Sequence, residues 1–386
     1  MLKSTYSDQH YWPPFLNLAA AYNAPLVIES LEVRRFNGTY LVRATSTDGA
    51  VGMATANRRM AYLVPMFSQL VAPAFIGRDA RELETLINEV YTFGSNYKYQ
   101  GTPLWNCVAY AEAALLDLLG QASGRSVGQL VGTPYRQRIP IYLSSMRRDT
   151  TAEAEVEWIG QRLAETGATG VKLKIGGRMA NNADSLPGRA EQLLERARTT
   201  WGPDIALYAD ANGSYDHVRA IEIGRLMESL EYAFFEEPCP FEQYEETQAV
   251  ADALSIDVAG GEQDCNMGLF RTMIRQRTVD VIQPDLMYNG GLIRALRVAQ
   301  MAAEAGIPVT PHSPKHNPEL ATLLHFASVV EHTGPHLEFP AAPVSYADWY
   351  APHFTIEEGG YIRVPTGPGL GIEYEPGTWD RAEAVG

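Results

Sequence analysis

The sequence predicts an α/β fold built around a TIM-type (β/α)8 barrel, with a smaller α+β domain before it. From residue 139 onward, eight short apolar runs alternate with longer amphipathic segments, and the whole pattern fills about 200 residues. Before that region, Asn37-Gly38 and Asp48-Gly49 separate three strand-like runs, and both dipeptides are typical of tight hairpins. A doubly wound sheet is the alternative architecture for the barrel region.

The residue patterns predict one helix in the first domain and one inserted loop in the barrel. The segment CVAYAEAALLDLLGQASG carries alanine and leucine at helical spacing, and we expect this helix to end near Gly120. The segment NNADSLPG is rich in turn residues and predicts an inserted loop after the second barrel strand.

Composition excludes several classes of function. The chain has 386 residues, is 46% hydrophobic and 20% charged, and carries a formal net charge of −15. This acidic balance argues against nucleic acid as a partner, since phosphate binding needs clustered lysine and arginine. No stretch approaches the roughly 20 apolar residues of a membrane span. Three scattered cysteines without a CxxC pattern favour a cytoplasmic protein without a disulfide framework.

Ionisable side chains end seven successive apolar runs. Their spacing is about that of one strand-helix unit, and catalytic groups of such barrels come from the carboxyl ends of the strands. We therefore expect one ring of charged groups at one mouth of the barrel. The ring consists of Lys172 with Lys174, Asp210, Glu236, Glu262, Asp285, His312 and Glu338. Each residue alone has an ordinary structural explanation, but their joint order favours a functional site.

Three of these residues predict a metal site. Asp210, Glu236 and Glu262 would bring three carboxylates together, and their mutual repulsion would be costly without a cation. Ligation by oxygen alone favours a hard ion, Mg²⁺, with positions left for water or a substrate.

Lys172 and Lys174 project from the same face of one predicted strand. At a separation of about 7 Å and an effective dielectric constant of about 20, two ammonium groups repel by about 2.4 kcal/mol. We expect this repulsion to lower the pKa of one lysine toward the range of a general base.

Asp285 and His312 end the sixth and seventh strands. A carboxylate on one imidazole nitrogen orients the other nitrogen and raises its basicity, which would provide a second acid or base across the metal. Two such groups beside a metal-bound carboxylate suit removal of the proton next to that carboxylate, with the metal holding the resulting enediolate.

The ordered motifs VKLKIGG, YADANGSY, FFEEP, GGE, IQPD with YNGG, TPHS and HLE resemble the enolase superfamily, in particular its mandelate racemase subgroup. The closing VPTGPGLGIEYEP resembles the tail of that family. Aspartate rather than lysine at position 285 argues against the muconate-cycloisomerising subgroup.

The resemblance implies a (β/α)8 or modified (β/α)7β barrel with an N-terminal capping domain that the C-terminal tail completes. We therefore divide the chain into an α+β capping domain with its N-terminal extension (1–135), a catalytic barrel (136–340) and a C-terminal segment packing on the capping domain (341–386). The resemblance also implies a homo-oligomer.

The same resemblance implies roles for the ring. Asp210, Glu236 and Glu262 would bind Mg²⁺, Lys174 would be one base with Lys172 lowering its pKa, and His312 with Asp285 would be the other. Glu338 would donate a hydrogen bond to the substrate carboxylate, and Asn212 would lie close to the ligand.

The implied reaction is dehydration of a sugar acid to a 2-keto-3-deoxy acid. The alternatives are a racemase or epimerase of a 2-hydroxy acid and a catalytically silent barrel that binds an acid. Because Asn37-Gly38 closes the first hairpin tightly, we expect the lid from the N-terminal extension or from the aromatic stretch around Lys98. Lys98 and Trp12 are accordingly candidate substrate contacts.

Overall fold

A computed structural model describes residues 13–385 as an antiparallel sheet with helices followed by a larger parallel sheet curled into a barrel. The strands are β1 Ile28–Phe36, β2 Thr39–Ser46, β3 Val51–Ala56, β4 Arg138–Ser144, β5 Gly170–Lys174, β6 Ala206–Asp210, β7 Phe234–Glu236, β8 Asp257–Gly260, β9 Val281–Ile282, β10 Leu337–Pro340, β11 Tyr350–Ala351, β12 Tyr361–Arg363, β13 Glu373–Tyr374 and β14 Glu383–Ala384. The α-helices are α1 Val64–Met66, α2 Leu83–Thr92, α3 Thr102–Ser123, α4 Val127–Val131, α5 Ala152–Thr166, α6 Arg189–Trp201, α7 His217–Ser229, α8 Tyr244–Ala253, α9 Met267–Gln276, α10 Leu292–Glu304, α11 Leu320–Val329 and α12 Thr378–Arg381.

The barrel sheet has the strand order β10-β4-β5-β6-β7-β8-β9, with all these neighbours parallel. One helix follows each strand position up to the seventh, and within residues 13–385 no α-helix lies between β10 and β11. The predicted α/β barrel is therefore confirmed, and its arrangement is the (β/α)7β form.

The seventh predicted strand, IPVTPHS, forms only isolated bridges. Val309 bridges in parallel to Ile282 on one side and to Thr333 on the other. Pro308 and Pro311 flank this pairing, and proline has no N–H to give to a ladder. The prediction of a full strand here was wrong, although the segment still occupies the seventh position of the barrel.

The predicted N-terminal meander is confirmed. β1, β2 and β3 pair in antiparallel order, and residues with positive φ turn the first hairpin, Asn37 at 47° and Gly38 at 76°. The mirror-image turn that these angles allow matches the twist of the flanking strands.

Helix α3 continues past the predicted end at Gly120. The helix ends at Ser123, and Gly124 caps it at φ 67°. Gly120 has a packing reason instead, since a Cβ there would lie 2.3 Å from the Cα of Gly369 in the C-terminal tail. Glycine at 120 therefore lets the tail approach the helix.

The tail completes the N-terminal domain, as expected. β14 pairs antiparallel with β1, and the Leu370 amide donates to Asp117 of α3 at 2.8 Å. The tail also contacts the barrel, because β12 pairs antiparallel with the first half of β4. We keep the division of the chain at residues 135 and 340 as a proposal.

The predicted loop after β5 is present and carries four non-glycine residues with positive φ: Arg178, Met179, Asn181 and Asn182. Among the described helices, none is both long enough and apolar enough to cross a membrane.

Candidate active site

The parallel register brings the ring of predicted residues together at one end of the barrel. Lys174 pairs with Asp210 across β5 and β6, and Asp210 pairs with Glu236 across β6 and β7. The remaining members follow or lie within the next strand positions: Glu262 after β8, Asp285 after β9, His312 after the Val309 bridge, and Glu338 in β10. All of them have less than one-eighth of their side-chain surface exposed.

Each lysine lies against a carboxylate. Lys172 Nζ donates to Glu236 Oε1 at 2.6 Å and Oε2 at 2.8 Å, and Glu338 Oε1 lies 3.1 Å away. Lys174 Nζ donates to Asp210 Oδ2 and, at 3.2 Å, to Asn212 Oδ1. The two ammonium groups are thus divided between two neighbouring carboxylates.

This pairing changes the expected electrostatics of Lys172. Burial opposes its charged form, but Glu236 and Glu338 outweigh burial and raise the pKa of Lys172 well above its usual value. The repulsion between two lysines that the sequence predicts is outweighed by the carboxylates that the barrel places beside them. Lys172 is therefore a charged group in this arrangement.

The pKa values of Glu236 and Asp210 shift in opposite directions. Burial raises the pKa of Glu236 to about 7, against the attraction of Lys172. For Asp210, the attraction of Lys174 and Lys172 exceeds the effect of burial and lowers the pKa. Gln283 adds a neutral donor to this pair, since its Nε2 lies 3.0 Å from Glu236 Oε2.

The surroundings of Glu262 indicate whether Asp210, Glu236 and Glu262 could bind a metal ion. Its Oε1 accepts from Gln263 at 2.8 Å, while its buried Oε2 has no hydrogen-bond partner in the described part of the chain. A buried carboxylate oxygen is costly to leave unpaired, and a hard cation is a suitable partner for it. Within residues 13–385, no three His, Cys, Asp or Glu side chains are already gathered closely enough to hold an ion. Carboxylate oxygens are suitable ligands for Mg²⁺, but Asp210, Glu236 and Glu262 do not converge on one point in this structure.

His312 and Asp285 form the predicted pair. His312 Nδ1 lies 2.9 Å from Asp285 Oδ2, and its Nε2 faces Glu262 Oε2 at 3.3 Å. Although burial lowers the pKa of His312, Glu262, Glu338 and Asp285 together raise it to about 9. Lys315, whose Nζ lies 3.6 Å from Asp285 Oδ2, helps to hold the pKa of Asp285 below its usual range despite burial.

Glu338 accepts hydrogen bonds in this structure. Its Oε1 accepts from Ser144 Oγ at 2.7 Å and its Oε2 from the Ser313 amide at 2.8 Å. Lys172 and His312 hold its pKa below the usual range, although burial acts in the opposite direction. The sequence-based expectation of a donor requires the protonated form of this carboxyl group, which these neighbours disfavour.

Asn212 lies at the centre of a polar group that the sequence revealed only in part. Its Oδ1 accepts from Lys174 and from Arg148, and its Nδ2 donates to Glu237 Oε2 at 2.9 Å. Burial is the main cause that raises the pKa of Glu237 well above its usual value. Glu237 was visible as the second acid of FFEEP. Nothing in the sequence around Arg148 indicated that its side chain turns toward Asn212.

Lys98, another predicted substrate contact, does not join this cluster. Lys98 is exposed, within the 3-10 segment Phe93–Tyr99 of the N-terminal domain. Trp12 lies outside the described residues.

Comparison with known families agrees with the fold. The model of the family described as Enolase C-terminal domain-like matches residues 154–378, which is more than half of the chain. The chain therefore belongs to the enolase superfamily. The arabinonate dehydratase of Saccharolobus solfataricus is 26% identical over 316 residues, which cover 81% of this chain and 81% of the relative.

Two solved structures share the architecture. A protein from Roseobacter denitrificans, provisionally named a racemase, matches with a TM-score of 0.86 and 33% identity, covering 93% of this chain and 99% of its own. A mandelate racemase/muconate lactonizing protein from Paracoccus denitrificans, complexed with magnesium, matches with a TM-score of 0.83 and 24% identity over 93% of this chain and 99% of its own. The second likeness shows the fold alone.

Proposed function

We propose that the protein is a lyase that removes the proton next to the carboxylate of a sugar acid and then expels the neighbouring hydroxyl group, giving a 2-keto-3-deoxy acid. The observation that carries this proposal is the placement of two proton-transfer groups around one set of carboxylates. Lys174 comes from β5, and His312 follows the seventh strand position. A substrate between them would meet a different group on each face.

Asp210, Glu236 and Glu262 would hold Mg²⁺. Their oxygen donors support this assignment, as does Glu262 Oε2, which has no hydrogen-bond partner in the described part of the chain and faces His312 Nε2 at 3.3 Å. When bound, Mg²⁺ would act as a Lewis acid that stabilises negative charge on the substrate carboxylate.

The protein's own residues divide the remaining work. Lys174, after giving up the proton of the ammonium form that pairs with Asp210, takes the proton from the carbon next to the carboxylate and leaves an enediolate. His312, held by Asp285 at 2.9 Å, gives a proton to the departing hydroxyl group. Glu338 and Asn212 lie beside these two groups and orient the substrate.

Racemisation or epimerisation is the second candidate reaction, and the 33% identical structure provisionally named a racemase favours keeping it. In that reaction His312 would return a proton to the carbon on the opposite face instead of protonating a leaving group. A third hypothesis, a silent barrel that binds an acid, predicts neither product.

We would test these reactions by incubating the purified chain with Mg²⁺ and a library of aldonic and aldaric acids in D₂O. Mass spectrometry would score both 2-keto acid and deuterium uptake. Keto acid from one stereochemical group supports the dehydratase, and deuterium exchange without keto acid supports the racemase. Absence of both across the library, with Mg²⁺ bound, would contradict the proposal.

The proposal includes a small-molecule carboxylate as the partner of the site. A homo-oligomer in the cytoplasm remains our expectation from the sequence, and the native mass of the purified chain would test the assembly.

A further inference from the structure

Arg148 is a cation at the barrel mouth that the proposed reaction does not use. It follows β4 and donates to Asn212 Oδ1. Its Nε is buried and has no hydrogen-bond partner, and no carboxylate pairs with its guanidinium group among residues 13–385. Burial lowers its pKa, against the attraction of Asp210. A guanidinium group in such a place has donors available for an anion.

The loop that carries Arg148 is fixed in place. Arg189, at the start of α6, donates to the carbonyl oxygens of Thr150 at 2.6 Å and Arg147 at 3.3 Å, and to that of Lys174 at 2.8 Å. One buried guanidinium group therefore ties both sides of Arg148 to the end of β5. Because the loop is anchored on a barrel strand, the position of Arg148 relative to Lys174 is defined.

Arg148 also lies close to the proposed base. Lys174 Nζ and an Arg148 guanidinium nitrogen both donate to Asn212 Oδ1, and two hydrogen bonds to one oxygen place their donors within roughly 6 Å of each other. A substrate whose second carbon faces Lys174 therefore has Arg148 within reach of its far end.

A second cation lies on the same side. Arg178, in the loop after β5, is exposed, and its amide donates to Ser214 Oγ at 2.8 Å beside the Asn212 loop. Glu237 Oε2 accepts the Asn212 amide at 2.9 Å, and no salt bridge joins Glu237 to Arg148 among the described residues. This side of the mouth therefore offers positive charge to a ligand.

We propose that the substrate is a sugar diacid of five or six carbons, and that Arg148 binds its distal carboxylate as a specificity-determining residue. The inference rests on the proposed function, since it assumes that the proximal carboxylate of the substrate lies at Asp210, Glu236 and Glu262. With C–C bonds of about 1.5 Å, the three or four bonds from C2 to the distal carboxylate span roughly 4 to 5 Å. That length is compatible with the separation of Lys174 Nζ and the Arg148 guanidinium group.

The test compares each aldaric acid with the aldonic acid of the same configuration, using the full chain with Mg²⁺. The wild type should have the higher kcat/KM for the aldarate. In Arg148→Met, the ratio of aldarate to aldonate kcat/KM should fall about 10- to 100-fold, because a charged hydrogen-bond donor to the distal group is lost. Arg148→Lys should recover part of this ratio, since it keeps the charge without the planar fork.

Arg147→Met is the matched control. Arg147 is the adjacent residue, but it faces Glu155 at 3.4 Å and stacks over Trp158, so its loss should leave the ratio unchanged. Equal use of both acids by the wild type, or an unchanged ratio in Arg148→Met, would overturn the inference and leave the dehydratase intact. If neither acid class gives keto acid or deuterium exchange, the proposed function itself fails and the inference fails with it.

Discussion

At the residue scale, Asp285 determines which nitrogen of His312 remains free to exchange a proton. Asp285 Oδ1 accepts the backbone amides of Met287 at 2.7 Å and Tyr288 at 3.0 Å, which leaves Oδ2 for His312 Nδ1. An acceptor at Nδ1 keeps the proton on that nitrogen in neutral imidazole and leaves Nε2 free to exchange a proton.

This arrangement makes Asp285→Asn a specific test. The two backbone amides would hold the amide oxygen of the asparagine, so its NH₂ group would face Nδ1 and favour the wrong tautomer. We expect kcat for keto acid to fall about 10²- to 10⁴-fold, with little change in the thermal unfolding temperature.

Asp280→Asn is the control for this variant. Asp280 lies just before β9, at the opposite end from Asp285, and accepts the Val258 amide at 3.0 Å through an oxygen that asparagine also provides. A kcat for Asp285→Asn within about threefold of the control would contradict the assigned role of Asp285.

The residues at the strand ends could be predicted because a parallel barrel converts chain spacing into proximity. Contacts that depend on side-chain direction could not. The pairing of Lys172 with Glu236, and the turn of Arg148 toward Asn212, require the twist of the sheet and the path of a loop.

At the element scale, helix α3 of the N-terminal domain fixes the start of barrel helix α10. Glu112 accepts the amides of Leu292 at 2.6 Å and Ile293 at 2.9 Å, a favourable place for a carboxylate at a helix N-terminus. Asn106 Nδ2 reaches the carbonyl oxygen of Met287 at 3.1 Å. The two side chains therefore hold both ends of the segment that follows Asp285.

Gly291→Ala should disrupt this junction. Gly291 has φ 117°, and a Cβ there would lie 2.1 Å from Glu112 Oε2. We expect the free energy of unfolding to fall by about 3 kcal/mol or more, measured by denaturant titration.

Gly306→Ala provides the comparison near the end of the same helix. Gly306 has φ 67°, and nothing lies within 4 Å of its Cβ position, so only backbone strain of about 1 to 2 kcal/mol is expected. Equal losses in the two variants would show that Glu112 does not require a glycine at 291.

The sequence shows the YNGG motif but does not indicate which residue packs against it. Glu112 lies in a helix that is buried along most of its length, and it has the residue type of an ordinary polar position. Only the packing of α3 on the barrel reveals its role. The continuation of α3 past Gly120 could not be predicted for a similar reason. Gly120 is needed because Gly369 of the tail packs against it, and that contact joins residues far apart in the sequence.

At the scale of the whole molecule, the C-terminal tail joins the two parts of the chain, and His325 lies at their junction. Its Nδ1 faces the Gly128 amide at 3.3 Å and its Nε2 faces the Leu370 carbonyl oxygen at 3.2 Å. The neutral ring satisfies both partners, with one nitrogen accepting and the other donating. Burial lowers the pKa of His325 to about 4.

This geometry predicts an acid-sensitive contribution to stability. The folded-state pKa of about 4 lies below the ordinary value of 6.5, so the stabilisation is complete above pH 6.5 and is lost as the pH falls toward 4. This lowering of the pKa corresponds to a stabilisation on the order of 3 kcal/mol. Between these pH values, the wild type should lose about that much more unfolding free energy than His325→Gln.

Denaturant titrations across this pH range would measure the difference. His353→Gln, at an exposed histidine, is the control and should follow the wild type. If His325→Gln follows the same pH dependence as the wild type, the buried neutral histidine is not the cause.

The overall architecture followed from the sequence because strand and helix periods alternate clearly over the barrel. The pairing at the seventh position of the barrel could not be predicted from the sequence, because Pro308 and Pro311 reduce that strand to the bridges at Val309. The distribution of charge in the site also required the structure, since Lys174 is balanced by Asp210 of the adjacent strand and Lys172 by Glu236 two strands away.

Mg²⁺-dependent removal of the proton next to a carboxylate can be measured as deuterium incorporation at C2 of the accepted acid in D₂O, followed by NMR. We predict incorporation of one deuterium, or keto acid formed through the same loss of the C2 proton, with Mg²⁺ present. A chelator should slow this reaction at least about 100-fold. Turnover that continues unchanged in the chelator, or a C2 proton that remains in place while product forms, would contradict this mechanism.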